Sequence, residues 1–232
     1  MAPPPHLLWV TSRPTKLSPE DWIEWYNQDH LGALIDTKSV TNGALFQEVP
    51  LDPNAKHDKP FLALYQTEFA DATRSDEFLN TKQPDSKVLE RLDLSQNALE
   101  HGEFDARNYE LIQDYDPNGV GNILVPVVLT VEMSTTDPAG FDDWYRKEHL
   151  PMLSKAPTWK RTLRYKAGPK AELASSEQPP YLAMYFFEDL AKASASPEAA
   201  AANETELTKK YLAECKPPAV ARAWRLIGKE RW

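Results

Sequence analysis

Trp25-Tyr26-Asn27-Gln28-Asp29-His30-Leu31 returns 119 residues further on as Trp144-Tyr145-Arg146-Lys147-Glu148-His149-Leu150, one copy in each half of a 232-residue chain. The same offset maps Leu8 and Val10 onto Val127 and Leu129, Trp22 onto Phe141, Leu34 onto Leu153 and Pro19 onto Pro138. One residue more maps Pro60-Phe61-Leu62-Ala63-Leu64-Tyr65 onto Pro180-Tyr181-Leu182-Ala183-Met184-Tyr185. The offset changes between elements and not inside them, as it does when insertions are confined to loops. The chain therefore reads as an internal duplication, with repeats over 1–117 and 118–232. A copied aromatic pair, acid and histidine duplicates a possible site as well as a scaffold.

Around the motif, Ser18-Pro19-Glu20-Asp21 supplies a cap, a proline at the first helical position and acids in the first turn, so a helix starts there. Trp22, Trp25, Tyr26, Asp29, Ala33 and Leu34 follow at three- and four-residue spacing and share a face, with His30 at its edge. Residues 7–11, 44–49, 61–67 and 109–114 read as strands, 50–60 as a long loop, and 72–100 as a helical region broken by Pro84. The second half repeats the plan: strands at 125–133, 158–166, 181–187 and 221–227, a helix from Asp137-Pro138 to about 153, and another over 199–212. The order β-α-β-β-α-β predicts an α+β fold, an antiparallel sheet with both helices on one face. Two tethered sheets with bare opposite faces are expected to close into one barrel.

Composition removes several classes of function. No apolar run approaches the ~18 residues of a membrane span, and residues 1–6 lack a charged start and an apolar core, so a cytoplasmic protein without membrane contact is expected. Cys215 is the single cysteine, which rules out an internal disulfide and fits a reducing compartment. A net charge of -9 with acids spread through both halves argues against nucleic acid as partner. The chain has no Gly-rich phosphate loop, no His-x-x-x-His or Cys-x-x-Cys metal spacing and no Gly-x-Ser-x-Gly elbow. No metal or other cofactor is expected, although the absence of these motifs does not by itself exclude haem or flavin.

His149, and its counterpart His30, can exchange a proton near neutral pH from a place late in the first helix of each repeat; the alternative is a histidine that packs or bonds a backbone carbonyl. Tyr145 and Tyr26 lie one turn earlier and can share a pocket with the imidazole, or pack in the core. Glu148 and Asp29 point away from the histidines that follow them and read as surface acids. In the strand over 158–166, alternation places Trp159, Arg161, Leu163 and Tyr165 on one face, with Lys160, Thr162, Arg164 and Lys166 on the other. Among apolar neighbours Arg161 needs a partner, either an acid such as Glu132 or an anionic substrate group. Tyr65 and Tyr185 hold matching places in the third strands, for packing or for substrate contact.

The second copy in its fuller form, Phe141-Asp142-Asp143-Trp144-Tyr145-Arg146-Lys147-Glu148-His149-Leu150-Pro151-Met152-Leu153 followed by Arg161 and Arg164-Tyr165, resembles the EthD-like branch of the dimeric α+β-barrel superfamily. The first copy departs from it, with Gly32 in place of Pro151, and Asn42 and Leu45 in place of Arg161 and Arg164. The resemblance implies two ferredoxin-like repeats forming an intramolecular barrel, as a monomeric pseudo-dimer or a homodimer. It also implies a small cofactor-independent enzyme for an aromatic or polyketide-like molecule: a lyase or isomerase of the decarboxylase, dehydratase or cyclase type. On that reading His149 is the acid/base, Tyr145 donates to a substrate oxygen and Arg161 or Arg164 holds a carboxylate or enolate. Trp144, Tyr165 and Tyr185 would complete the pocket. His30 and Tyr26, with Trp25 and Tyr65, would form a second pocket, active or vestigial. A cofactor-free oxygenase of an electron-rich phenol and a non-catalytic hydrophobic-ligand-binding or stress-response protein are the rival expectations.

Overall fold

A computed structural model of the chain describes residues 2–52 and 57–232. Met1 and residues 53–56 of the expected 50–60 loop lie outside the described residues. The chain forms two compact units. The first contains residues 2–111, 167–178 and 225–232; the second contains 112–166 and 179–224.

In the first unit β1 (His6–Pro14) lies between β3 (Phe61–Thr67) and β4 (Gly102–Tyr115), antiparallel to both, and β2 (Asn42–Val49) adds to the far side of β3. The register sets Tyr65 opposite Leu8 on one side and Gly43 on the other. After β1 the cap forms as the sequence predicts, with Ser18 Oγ accepting the Asp21 N–H at 3.0 Å and Pro19 opening α1 (Pro19–Trp25). The helix continues through a π-helical turn (Tyr26–His30) into α2 (Leu31–Asp36). Trp22, Trp25, Tyr26, Leu31 and Leu34 are buried against Leu8, Leu45, Ala63 and Tyr65 of the sheet. The 72–100 region, expected to be helical and broken by Pro84, holds short pieces that include α3 (Asp76–Leu79) and α4 (Lys87–Arg91), because Ser75 and Ser86 each cap a new turn and Pro84 separates them. β4 is far longer than residues 109–114, its extension hidden in the sequence by polar Asp105, Arg107 and Asn108. Segment 167–178 supplies those groups with partners: Asp105 accepts the Ser175 N–H and the Ser176 hydroxyl, each at 2.7 Å.

The second unit contains β5 (Val127–Met133), β6 (Trp159–Ala167) and β7 (Tyr181–Phe187), with β7 antiparallel to both others. A bulge between Trp159 and Arg161 breaks the alternation expected for β6. Trp159 consequently joins the apolar cluster of Ala183 and Tyr185, and its indole N–H reaches Thr162 Oγ1 at 3.0 Å. α5 (Pro138–Trp144) passes through a second π-helical turn (Tyr145–His149) into α6 (Leu150–Leu153). After β7 come α7 (Leu190–Ser194), α8 (Pro197–Asn203) and α9 (Glu206–Glu214), then β8 (Val220–Glu230). The helix expected over 199–212 is divided because Thr205 caps α9, its hydroxyl accepting the Thr208 N–H at 3.1 Å. In hydrogen-bonded order the strands run β1-β3-β2-β8-β5-β7-β6-β4, a closed barrel of the α+β class. Among the described residues no helix is long and apolar enough to cross a membrane.

Candidate functional site

Both copies of the motif are wound through a π-helical turn, in which the Leu31 N–H donates to the Tyr26 carbonyl and the Leu150 N–H to the Tyr145 carbonyl, five residues back. In an α-helix, residues five apart diverge by about 140°. The extra residue in the turn brings them together: Trp25 and His30 stack at 4.4 Å between centroids and 21° between planes, and Trp144 and His149 lie at 4.8 Å and 36°. Such turns are frequent at functional sites. The periodicity of the sequence carries no mark of this one, because the buried residues before and after it keep ordinary helical spacing.

In the first unit His30 meets Tyr26 edge-on at 5.2 Å and Tyr65 at 6.5 Å. Trp25, Tyr26, His30 and Tyr65 all line one cavity of about 510 Å³, whose apolar walls include Leu8, Leu34, Phe78, Leu89 and Phe104. That volume falls in the range of small-molecule sites. Burial lowers the pKa of His30 to about 4, so the imidazole is neutral at physiological pH. Burial also pushes both tyrosines upward, keeping them protonated. Tyr26 hydroxyl is 3.4 Å from Ser12 Oγ, whereas the buried Tyr65 hydroxyl has no hydrogen-bond partner among the described residues. Gly43 permits the Tyr65 ring its position, since a Cβ at residue 43 would stand 3.0 Å from two ring carbons.

Asp29 is not a free surface acid. Its Oδ2 accepts the Ser86 hydroxyl at 2.6 Å and the Val88 N–H at 3.0 Å, fastening the start of α4, and with it one cavity wall, to the turn that carries His30. Asp29 and Ser86 are 57 residues apart, so no local pattern marks this link.

The matching slots of the second unit are filled. The Arg164 guanidinium lies 3.9 Å from the Tyr145 ring centroid, and its Nη1 donates to Gln113 at 2.6 Å and Asp142 at 2.9 Å. Tyr185 donates to the Tyr145 hydroxyl at 3.1 Å and lies 3.4 Å from His149 Nε2, while Tyr145 donates to Met133 Sδ at 3.8 Å. Trp144 is engaged by Thr208 Oγ1 at 3.2 Å. His149 is also lowered to about 4, chiefly by burial, with the Ala202 backbone carbonyl opposing the shift and the Arg164 charge adding to it. The cavity beside it measures about 130 Å³ and is lined by His149 and Tyr185 but not by Tyr145 or Arg164. Arg161 is held by Asp114 through two 2.8 Å contacts, and neither Arg161 nor Tyr165 lines either cavity. Among the described residues no group of three or more His, Cys, Asp or Glu is placed to hold a metal ion.

No family model matches the sequence. Over 82% of its length the chain is 24% identical to Core atranone cluster (CAC) protein 1 of Stachybotrys chlorohalonatus, covering 85% of that protein. Among solved structures it is similar to a monooxygenase candidate from Fusobacterium nucleatum (TM-score 0.53, 9% identity, 98% of this chain and 94% of that one). It is equally similar to an anthrone oxidase-like protein (TM-score 0.53, 14% identity, 98% and 95%). At these identities the likeness to both structures is one of fold.

Proposed function

We propose that this chain is a cytoplasmic, cofactor-independent lyase or isomerase of the EthD-like branch, that its working site is the cavity of the first unit, and that His30 is the general base. The observation that carries the reading is the cavity itself: a neutral imidazole and a phenol with no hydrogen-bond partner among the described residues line a predominantly apolar space large enough for a bicyclic or tricyclic molecule. The relative named for the core atranone cluster supports a small-molecule role. The shared π-helical turns support the descent of 1–117 and 118–232 from one ancestral repeat.

In the mechanism, the Tyr65 hydroxyl donates to a ketone or phenol oxygen of the substrate. His30 removes a proton from the adjacent acidic C–H or O–H, leaving an enolate or phenolate beside the imidazolium. Return of that proton to another carbon completes an isomerisation; its transfer to a departing hydroxyl completes a dehydration. The apolar walls exclude water from the intermediate.

The test is hydrogen exchange into 2-tetralone in D2O, followed by NMR. The wild-type chain is expected to accelerate exchange, His30→Gln to lose about 10²- to 10⁴-fold of the acceleration, and His149→Gln to keep it. Full acceleration in His30→Gln would overturn the assignment. Oxygen uptake in step with substrate loss would move the protein to the cofactor-free oxygenases, because a phenolate formed in the same way can react with oxygen directly.

A further inference from the structure

We infer that the first-unit cavity takes an uncharged aromatic or alicyclic ligand bearing a hydroxyl or ketone oxygen, and rejects the corresponding carboxylate. This deepens the functional reading by naming its substrate class.

Three observations carry it. Among the described residues lining the cavity there is no lysine or arginine, and the ionisable groups at its edge are acids: Asp85 and Glu172, both exposed, and Asp29, already bonded to α4. A carboxylate entering this space would leave water, meet no counter-ion and approach three like charges. Second, the one buried cation of the corresponding place in the other unit is absent by substitution. Leu45 pairs with Ala63 as Arg164 pairs with Ala183, and Ile23 stands where Asp142 holds that arginine. Third, two of the polar residues lining the cavity, Tyr65 and His30, match a neutral partner, and the others that carry no charge, Thr73, Gln83, Ser86, Gln96 and Asn97, bring no cation. The Tyr65 hydroxyl is buried with no hydrogen-bond partner among the described residues, and it can donate to a ketone oxygen or exchange hydrogen bonds with a hydroxyl. The half-buried His30 lies beside it with no charge to offer an anion.

A decarboxylation would start from the carboxylate that this cavity disfavours. Isomerisation, dehydration and cyclisation of a neutral substrate remain within its chemistry.

The experiment is calorimetric titration of the full chain at neutral pH with 2-naphthol, 2-naphthamide and 2-naphthoate, which share a ring system and differ in charge. The two uncharged compounds are expected to bind at one site per chain, and naphthoate at least about 100-fold more weakly. Tyr65→Phe should weaken 2-naphthol about fivefold. Gln83→Lys, on the cavity wall, should strengthen naphthoate about tenfold by supplying the missing cation. Naphthoate binding within about threefold of naphthamide, or no binding of either uncharged compound, would overturn the inference. Selective binding without exchange into 2-tetralone would keep this inference and remove the catalytic one; exchange together with equal naphthoate binding would do the opposite.

Discussion

Arg164 and Leu45 stand in one structural slot and give the two units different interiors. In the second unit the guanidinium stacks on Tyr145 and is tied to Asp142 and Gln113; in the first, Leu45 brings no charge into the core cluster it shares with Tyr26, and Tyr26 lines the larger cavity. Arg164→Ala should lower stability by about 2–3 kcal/mol, through the lost hydrogen bonds and stacking. The double change Arg164→Leu with Asp142→Ile copies the first unit's side chains and should stay within about 1 kcal/mol of wild type. Urea unfolding of the two variants checks both values, and a double variant as unstable as Arg164→Ala would show that the slot does not tolerate leucine. The sequence displayed the contrast between Arg161 and Arg164 on one side and Asn42 and Leu45 on the other. It did not display the acids that engage the arginines, because Asp142 and Asp114 lie 22 and 47 residues away and only the folded strands bring them close.

Each helix that carries a candidate base was visible from its cap, its proline and its aromatic spacing, and so was the β-α-β-β-α-β order. The π-helical turns were not, since an extra residue in one turn alters which neighbours meet without altering the composition. The dissection of 72–100 and 199–212 was written in Ser75, Ser86 and Thr205, each a cap inside a stretch whose helical formers drew attention away from it. Asp29 joins two of these elements. Asp29→Ala should release Ser86 and Val88 and cost about 1–2 kcal/mol, with faster amide exchange confined to residues 86–92 and the strands unaffected. Uniformly faster exchange through β1 and β3 would show instead that the acid supports the whole unit.

Acid should weaken the protein through both histidines. His30 and His149 have pKa values near 4 in the fold and near 6.5 when unfolded, so between those values the unfolded chain binds more protons and stability falls as pH falls, levelling off below about 4. For His149, 6% exposed, the loss is on the order of 3 kcal/mol. Urea midpoints measured from pH 7 to 4 should drop across that window, and His149→Gln should flatten the profile; an unchanged profile would mean that the ring is charged in the fold. The first unit is assembled from three stretches of chain, and residues 167–178 stand against β4 while presenting Glu172 and Leu173 to the cavity. Drift or exchange in that short exposed strip could redraw ligand preference while the helix bearing the base stays as it is, which offers descendants of this chain a route to new substrates without rebuilding their chemistry.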